Sequence, residues 1–249
     1  TYGSKSVAIG REALVTQNFT TATDSLNTAV GYAAGQAVTT GTLNTLVGAN
    51  TGDAITTGFD NVALGRSALT TEDTGRKNVA IGSSALEVQN ADVDNFNTAV
   101  GFEAGKSVTT GSNNTLVGAL AGDAIAGGYR NAGFGGESLG ACDEGYNNTA
   151  CGYDCMTVVT TGYNNVGLGR WAGTSNGPGG AVTTGNNQLV LGDGNTANAH
   201  VQVDWTVASD ARDKTDFTAL DLGLDFVNAL APVTYKWDKR INYVDATDP

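Results

Sequence analysis

Residues 27–43 read NTAVGYAAGQAVTTGTL, and residues 97–113 read NTAVGFEAGKSVTTGSN. The opening word, Asn-x-x-apolar-Gly, recurs at Asn27, Asn44, Asn61, Asn78, Asn97, Asn114, Asn131, Asn148 and Asn165, with weaker copies at Ser6 and Asn187. Successive copies lie 17 residues apart, except for one step of 19 between Asn78 and Asn97. A period of 70 sits above the short one, because residues 27–60 resemble residues 97–130 closely. A disordered tract has no reason to hold such a register, whereas a stack of identical units does. The reading is an ordered all-β solenoid of roughly ten coils.

With Asn as phase zero, each position acquires a role. Phase four is Gly in every good copy, and phase fourteen is Gly in most, from Gly41 and Gly58 to Gly162. Glycine at a fixed phase marks a corner with positive φ or a backbone pressed against its neighbour. Phase three is apolar, phase seven is small, and phase eleven is often Val or Ile. Seventeen residues are too few for a helix pair. They suffice for two strands of about five residues and two turns. One such coil cannot bury its own apolar face, so stacking must supply the core. The side chains are small, which makes a thin rod with much surface, and such rods gain stability by oligomerisation. An oligomer of identical chains is expected, and its number, a homotrimer, is what the C-terminal resemblance below implies.

Composition excludes several functions. The 249 residues include 35 Gly but only 3 Pro, which rules out collagen. No apolar run reaches the length of a membrane span. The 25 acids and 13 bases give a net charge of −12, wrong for nucleic-acid binding. The single histidine, His200, leaves no His-rich metal site and argues against a Ser-His-Asp hydrolase. No metal and no cofactor is expected. Cys142, Cys151 and Cys155 fall at phases eleven, three and seven, where other coils carry small apolar residues, so all three are read as buried free thiols. Asp92 and Asp94, in the two-residue expansion, read as a polar loop rather than a calcium loop. Gly167, Gly169 and Gly173 mimic a dinucleotide fingerprint but are repeat glycines. The Thr pairs at 39–40, 56–57, 109–110 and 160–161 read as β-formers at a turn rather than an ice-binding row.

Aromatic residues are few and sit near the corners: Tyr32, Phe59, Phe102, Tyr129, Tyr146, Tyr153, Tyr163 and Trp171. Tyr32, Phe102, Tyr153 and Trp171 are candidate contacts for sugar rings of a host glycan. The alternative is that corner aromatics plug subunit contacts or cover neighbouring turns.

The pattern changes near residue 196. HVQVDWTV (200–207) alternates as a strand does, and Leu220, Leu224, Val227 and Leu230 recur at helical spacing. Asp216 or Thr218 can cap that helix, Pro232 ends it, and VTYKW (233–237) reads as a strand. The expected organisation is a shaft over 1–195, a junction strand over 196–208, and a small α+β unit from 209 to 249.

Two resemblances follow from these words. SVAIGREAL, NVALGRSAL and NVAIGSSAL resemble the head repeats of trimeric autotransporter adhesins, which form left-handed parallel β-rolls, and similar words occur in phage tail-fibre shafts. The second resemblance lies in Ser209, Asp210, Arg212 and Lys214, then Gly223-Leu224, then Leu230, Pro232, Val233, Tyr235 and Trp237. That series is similar to the start of the peptidase S74 intramolecular chaperone of phage tail spikes and fibres, a domain that runs on beyond this stretch. It implies a virion protein, a tail fibre or spike, exposed at the virion surface. Its partners would be two further copies of itself, other tail proteins and a glycan or protein receptor on the host. It also implies self-cleavage between Ala208 and Ser209, with Ser209 as nucleophile and Lys214 as general base. A Ser hydroxyl needs such a base to take its proton, and a Lys serves only when its pKa is lowered. That would be a single-turnover autoprotease and no turnover enzyme. A bacterial trimeric adhesin is the alternative. A tailspike glycan hydrolase needs paired carboxylates in a groove, and the shaft acids do not cluster at one phase.

Overall fold

A computed structural model of the chain describes residues 3–91 and 93–200. The strand expected at 200–207, the helix ending near Pro232 and the strand at 233–237 lie outside them, apart from His200. The chain divides into two units, Thr1–Ala199 and His200–Pro249.

The described residues form a parallel β-solenoid, all-β as expected. Each coil contributes one strand of three residues at phases one to three, from Val7–Ile9 and Thr28–Val30 to Val166–Leu168 and Leu189–Leu191. Eleven such strands pair in sequence order into one sheet. Residues 17 apart face one another in its register, as in Thr28 with Thr45 and Val30 with Val47. A further pair, Gly3–Ser4 with Thr23–Asp24, lies outside this sheet. The expectation of two five-residue strands per coil is corrected. The rest of each coil is turn, because phases six, eight and sixteen all take left-handed backbone, as at Asn50, Leu69 and Leu43. Repeated positive φ bends the chain too sharply for a second strand.

The buried Asn at phase zero closes the 17-residue coils. Asn114 shows the pattern. Its Nδ2 donates to the carbonyl of Gly128 in the same coil, 2.9 Å away. Its Oδ1 accepts the backbone N–H of Asn131 in the next coil at 3.0 Å. The same bonds run through the stack, from Asn27 and Gly41 onward. Only a short amide carries a donor for the closing carbonyl and an acceptor for the next coil at this spacing. Phase twelve adds a lesser brace. The hydroxyls of Thr39, Thr56, Thr109 and Thr160 each donate to a carbonyl of the following coil.

Phase-four glycines have a double reason. Gly118 has φ of 143°, and a Cβ placed there would overlap the carbonyl of Gly135. Phase-fourteen glycines have the second reason alone. A Cβ on Gly128 would meet the carbonyl of Gly145 at 2.5 Å.

Inward positions are phases two, seven, eight and eleven. Phase two carries Ala29, Leu46, Ala63, Ala80, Ala99, Leu116 and Ala150, all buried. Phase eight trades with it: coils with Leu46 and Leu116 carry Gly52 and Gly122, whereas coils with Ala63 and Ala80 carry Leu69 and Leu86. A Cβ on Gly52 would lie 2.8 Å from a Leu46 methyl, so one bulky residue excludes the other. Coils with Ala29 and Ala99 carry Gly35 and Gly105, small at both phases, and there leucines of adjacent coils fill the space, Leu14 and Leu46 beside Gly35 and Leu86 and Leu116 beside Gly105. Phases one and three point the other way and are half-buried or exposed, from Val7 to Leu191.

Candidate functional site

The four candidate glycan contacts lie on one corner of the solenoid, at phases five and six. They do not form one patch. Tyr32 and Phe102 are four coils apart, about 19 Å at the usual strand spacing, and Phe102 and Tyr153 are three coils apart, about 14 Å. Ala49, Arg66 and Ser83 occupy the corner between the first two. Tyr32, Phe102 and Tyr153 are each about half exposed, at 48%, 51% and 52%. The Arg11 guanidinium lies 5.8 Å from the Tyr32 ring centre.

Tyr153 and Trp171 stand in consecutive coils and share a polar surround. The Tyr153 hydroxyl donates to Glu137 Oε1 at 3.4 Å. The Trp171 indole N–H donates to Asp154 Oδ2 at 2.9 Å. Asp154 and Glu137 hold the Tyr153 phenol above its ordinary pKa by repelling the phenolate. One face of Trp171 is taken by the Arg170 guanidinium, 3.9 Å from a ring centre, and Arg170 also pairs with Asp193 at 3.3 Å. Tyr153 lies beside Gly136, where a Cβ would come within 3.3 Å of its ring. The arrangement offers one open tyrosine face and carboxylates that accept hydroxyl protons.

Sequence reading did not foresee a second aromatic row. Tyr129, Tyr146 and Tyr163 share phase fifteen in consecutive coils, and their rings stack at 4.9 and 4.8 Å, nearly parallel. Their common phase in three adjacent coils is the signal that points to it. Interior ring faces of this stack cover one another, so the row presents edges and hydroxyls rather than platforms. Beside it runs an amide ladder, Asn147 to Asn164 at 3.0 Å and Asn164 to Asn187 at 3.1 Å.

Glu72 was also missed. It stands at phase eleven, where Val38, Ile55, Val108, Ile125 and Val159 fill the core, and it is fully buried. Its Oε1 accepts the Gly75 N–H at 2.6 Å, and its Oε2 accepts from Gln89 Nε2 at 2.9 Å. Gln89, buried at phase eleven of the next coil, accepts from Asn97 Nδ2 at 2.8 Å. This chain of amides crosses the 19-residue coil, where the expansion takes away the closing bond and leaves Asn78 Nδ2 without a partner. Burial raises the Glu72 pKa above its usual 4.5, against the hydrogen bonds from Gln89, Gly75 and Ala91. Burial raises Asp53 and Asp123 likewise.

Carboxyls with raised native pKa bind protons more tightly folded than unfolded. Their contribution to stability is full below the unfolded pKa and is lost as pH rises through the native one. Glu72→Gln should therefore flatten the decline of the urea midpoint as pH rises above the ordinary glutamate range. A wild-type and mutant curve of identical slope would sink this account. The slope is the readout, since the glutamine NH₂ meets the Gln89 donor and lowers absolute stability as well.

The cysteines divide. Cys142 and Cys155 are buried, and burial pushes their pKa to about 12 and about 11, so these thiols are inert. Cys151 is exposed, which corrects the expectation of three buried thiols. Phase three of the strand points outward, and that alone exposes it. Asp94 is engaged by Arg76 at 3.1 Å and Lys77 at 2.5 Å. Asp92 lies outside the described residues, as do Ala208, Ser209 and Lys214. Among the described residues no helix is long and apolar enough to cross a membrane.

No curated protein and no solved structure matches the chain. Residues 209–248 match the Peptidase S74 family, described as the chaperone of endosialidase. The described residues thus form a parallel β-solenoid, and the residues after it in sequence match the chaperone of endosialidase.

Proposed function

We propose that the chain is the distal shaft of a trimeric phage tail fibre or spike, a virion component that reaches for and attaches to the host surface. The observation that carries this reading is the chaperone-of-endosialidase match at 209–248, directly after a long parallel solenoid. The C-terminal segment aids trimerisation of the shaft and then cuts itself off. A bacterial trimeric adhesin would end in a membrane anchor where this chain carries that segment.

In the cleavage step Lys214 takes the proton of Ser209 Oγ, which attacks the carbonyl carbon of Ala208. The peptide nitrogen leaves with a proton, an ester joins Ala208 to the Ser209 oxygen, and water hydrolyses it. Host attachment falls to a glycan or protein receptor, with Tyr153 and Trp171 the strongest of the four aromatic candidates because they alone are neighbours. Tyr32 and Phe102 are single contacts farther along the same corner.

The deciding experiment expresses the chain with its complete C-terminal domain beside a Ser209→Ala version. Mass spectrometry and light scattering then read both. The expected outcome is a wild type split at Ala208–Ser209 with a trimeric shaft, and an intact mutant. Intact but trimeric wild type removes the Ser209 and Lys214 roles. A monomeric wild type removes the fibre reading.

A further inference from the structure

From the outward face of the eleven-stranded sheet we infer the surface on which further copies of this chain pack. The inference rests on the trimeric reading above and adds which side of the coil closes the assembly.

Every described strand of that sheet points two side chains outward, at phases one and three. None of them is charged, in a chain of net charge −12. Phase one is mostly Val or Thr, and phase three runs through Ile9, Leu64, Phe134, Cys151 and Leu168. Several stand well exposed, Ile9 at 59% and Leu189 at 55%. A sheet facing water ordinarily alternates apolar with polar residues and guards itself with charge. This one does neither.

Strands stand about 4.8 Å apart, so eleven make a strip roughly 50 Å long and about 10 Å wide, on the order of 500 Å². That matches the largest apolar patch an ordinary monomer exposes, and such patches are often functional; phase-one threonines, from Thr28 to Thr149, set hydroxyls among its apolar groups. The row just before each Asn mixes exposed Leu26, Leu43 and Phe96 with Asp60, Lys77 and Arg130, so the uncharged strip stops at phase one and supplies only part of the roughly 800 Å² per partner of a stable association.

Charge selects a second copy as the occupant. Neighbouring rows carry Glu103, Glu137 and Asp154 at phase six, and Asp53, Glu87 and Asp123 at phase nine, against Lys106, which pairs with Glu87 and Glu103. Two copies meeting on those rows would bring acids together, at a cost. Copies meeting on the sheet bury no charge at all. The repeat also gives each copy the same rise per coil, so contacts made at one layer recur at the next.

The test uses the chain with its complete C-terminal domain. Val100→Glu combined with Val117→Glu places two charges mid-strip, and Thr110→Glu places one on an exposed turn as control. A second readout is the rate of maleimide labelling at Cys151, since Cys142 and Cys155 are buried. The expected result is a trimeric wild type and control, and a double variant that is monomeric with an unchanged circular-dichroism spectrum. Cys151 in the wild type should label about tenfold or more slowly than in the urea-unfolded chain, because an interface core excludes solvent. A trimeric double variant, or wild-type Cys151 labelling as fast as the unfolded chain, overturns the sheet as the interface and leaves the fibre reading standing. A monomeric wild type overturns both. Should the double variant fail to fold, the Cys151 rate in the wild type decides alone.

Discussion

Asn114→Ala is expected to destabilise the central coils by about 3–5 kcal/mol, because it leaves two buried backbone groups unpaired at about 1–3 kcal/mol each and adds a small cavity. The groups are the Gly128 carbonyl and the Asn131 N–H, which the Asn114 amide joins at 2.9 and 3.0 Å. Asn114 is fully buried, so water cannot replace the lost partner without opening the stack. Asn114→Asp is the sharper version. A carboxylate keeps the acceptor for Asn131 but turns an oxygen toward the Gly128 carbonyl. It should be as damaging at neutral pH and partly recover in acid, where protonation restores a donor. Hydrogen exchange at Gly128 and Asn131, with urea unfolding, reads both. Because a solenoid is held by nearest-neighbour contacts, protection should fall most in the coils that start at Asn97, Asn114 and Asn131. Uniform loss along the shaft, or a change below about 1 kcal/mol, would contradict the closing role of the amide.

Gly118→Ala should cost about 4 kcal/mol or more, in the range reserved for exceptional single substitutions. Two costs combine. The backbone has φ of 143°, a conformation essentially closed to residues with a Cβ. The new methyl would also overlap the Gly135 carbonyl and lie 2.9 Å from the Gly136 nitrogen. Both are main-chain atoms of the next coil, so relief requires parting two strands of the sheet. Gly179→Ala separates the two costs. It also has positive φ, at 80°, but a Cβ there meets nothing within 4 Å. It should lose only about 1 kcal/mol, the cost of the left-handed backbone. Thermal unfolding of the two variants side by side measures the difference, and equal losses would mean that close packing of the coils contributes nothing.

Both predictions concern positions that the repeat makes conspicuous in the amino-acid sequence. Asn and Gly recur at fixed phases because the same backbone groups need the same partner in every coil. The stacking, the parallel register and the small phase-seven residues follow from that repetition. The C-terminal motif is legible for another reason: Ser209 to Trp237 places many chemically distinct residues in one order, and the 209–248 match covers it.

Direction is harder to read than identity. Phases two and three are both apolar in this sequence, yet only phase two faces the core, and the sign of that alternation depends on how the corners turn the strand. Cys151 reads as an interior residue for this reason, and it stands outside. Glu72 is the opposite error. Its type suggests a solvated side chain, but phase eleven aims it inward, and Gly75 leaves room for the carboxylate to fold back onto a backbone N–H.

Legible in the residues alone are the unit and its repetition: a 17-residue coil marked by an asparagine and pinched at its glycines, and a different segment after it. Those are local needs of backbone groups, and they leave the same mark in every copy. Which apolar row is core and which is a bare outer face, which aromatics stack and which stand alone, and which acid is buried were decided only in three dimensions. Each depends on a side chain meeting residues 17 or more positions away, and no single repeat records that meeting.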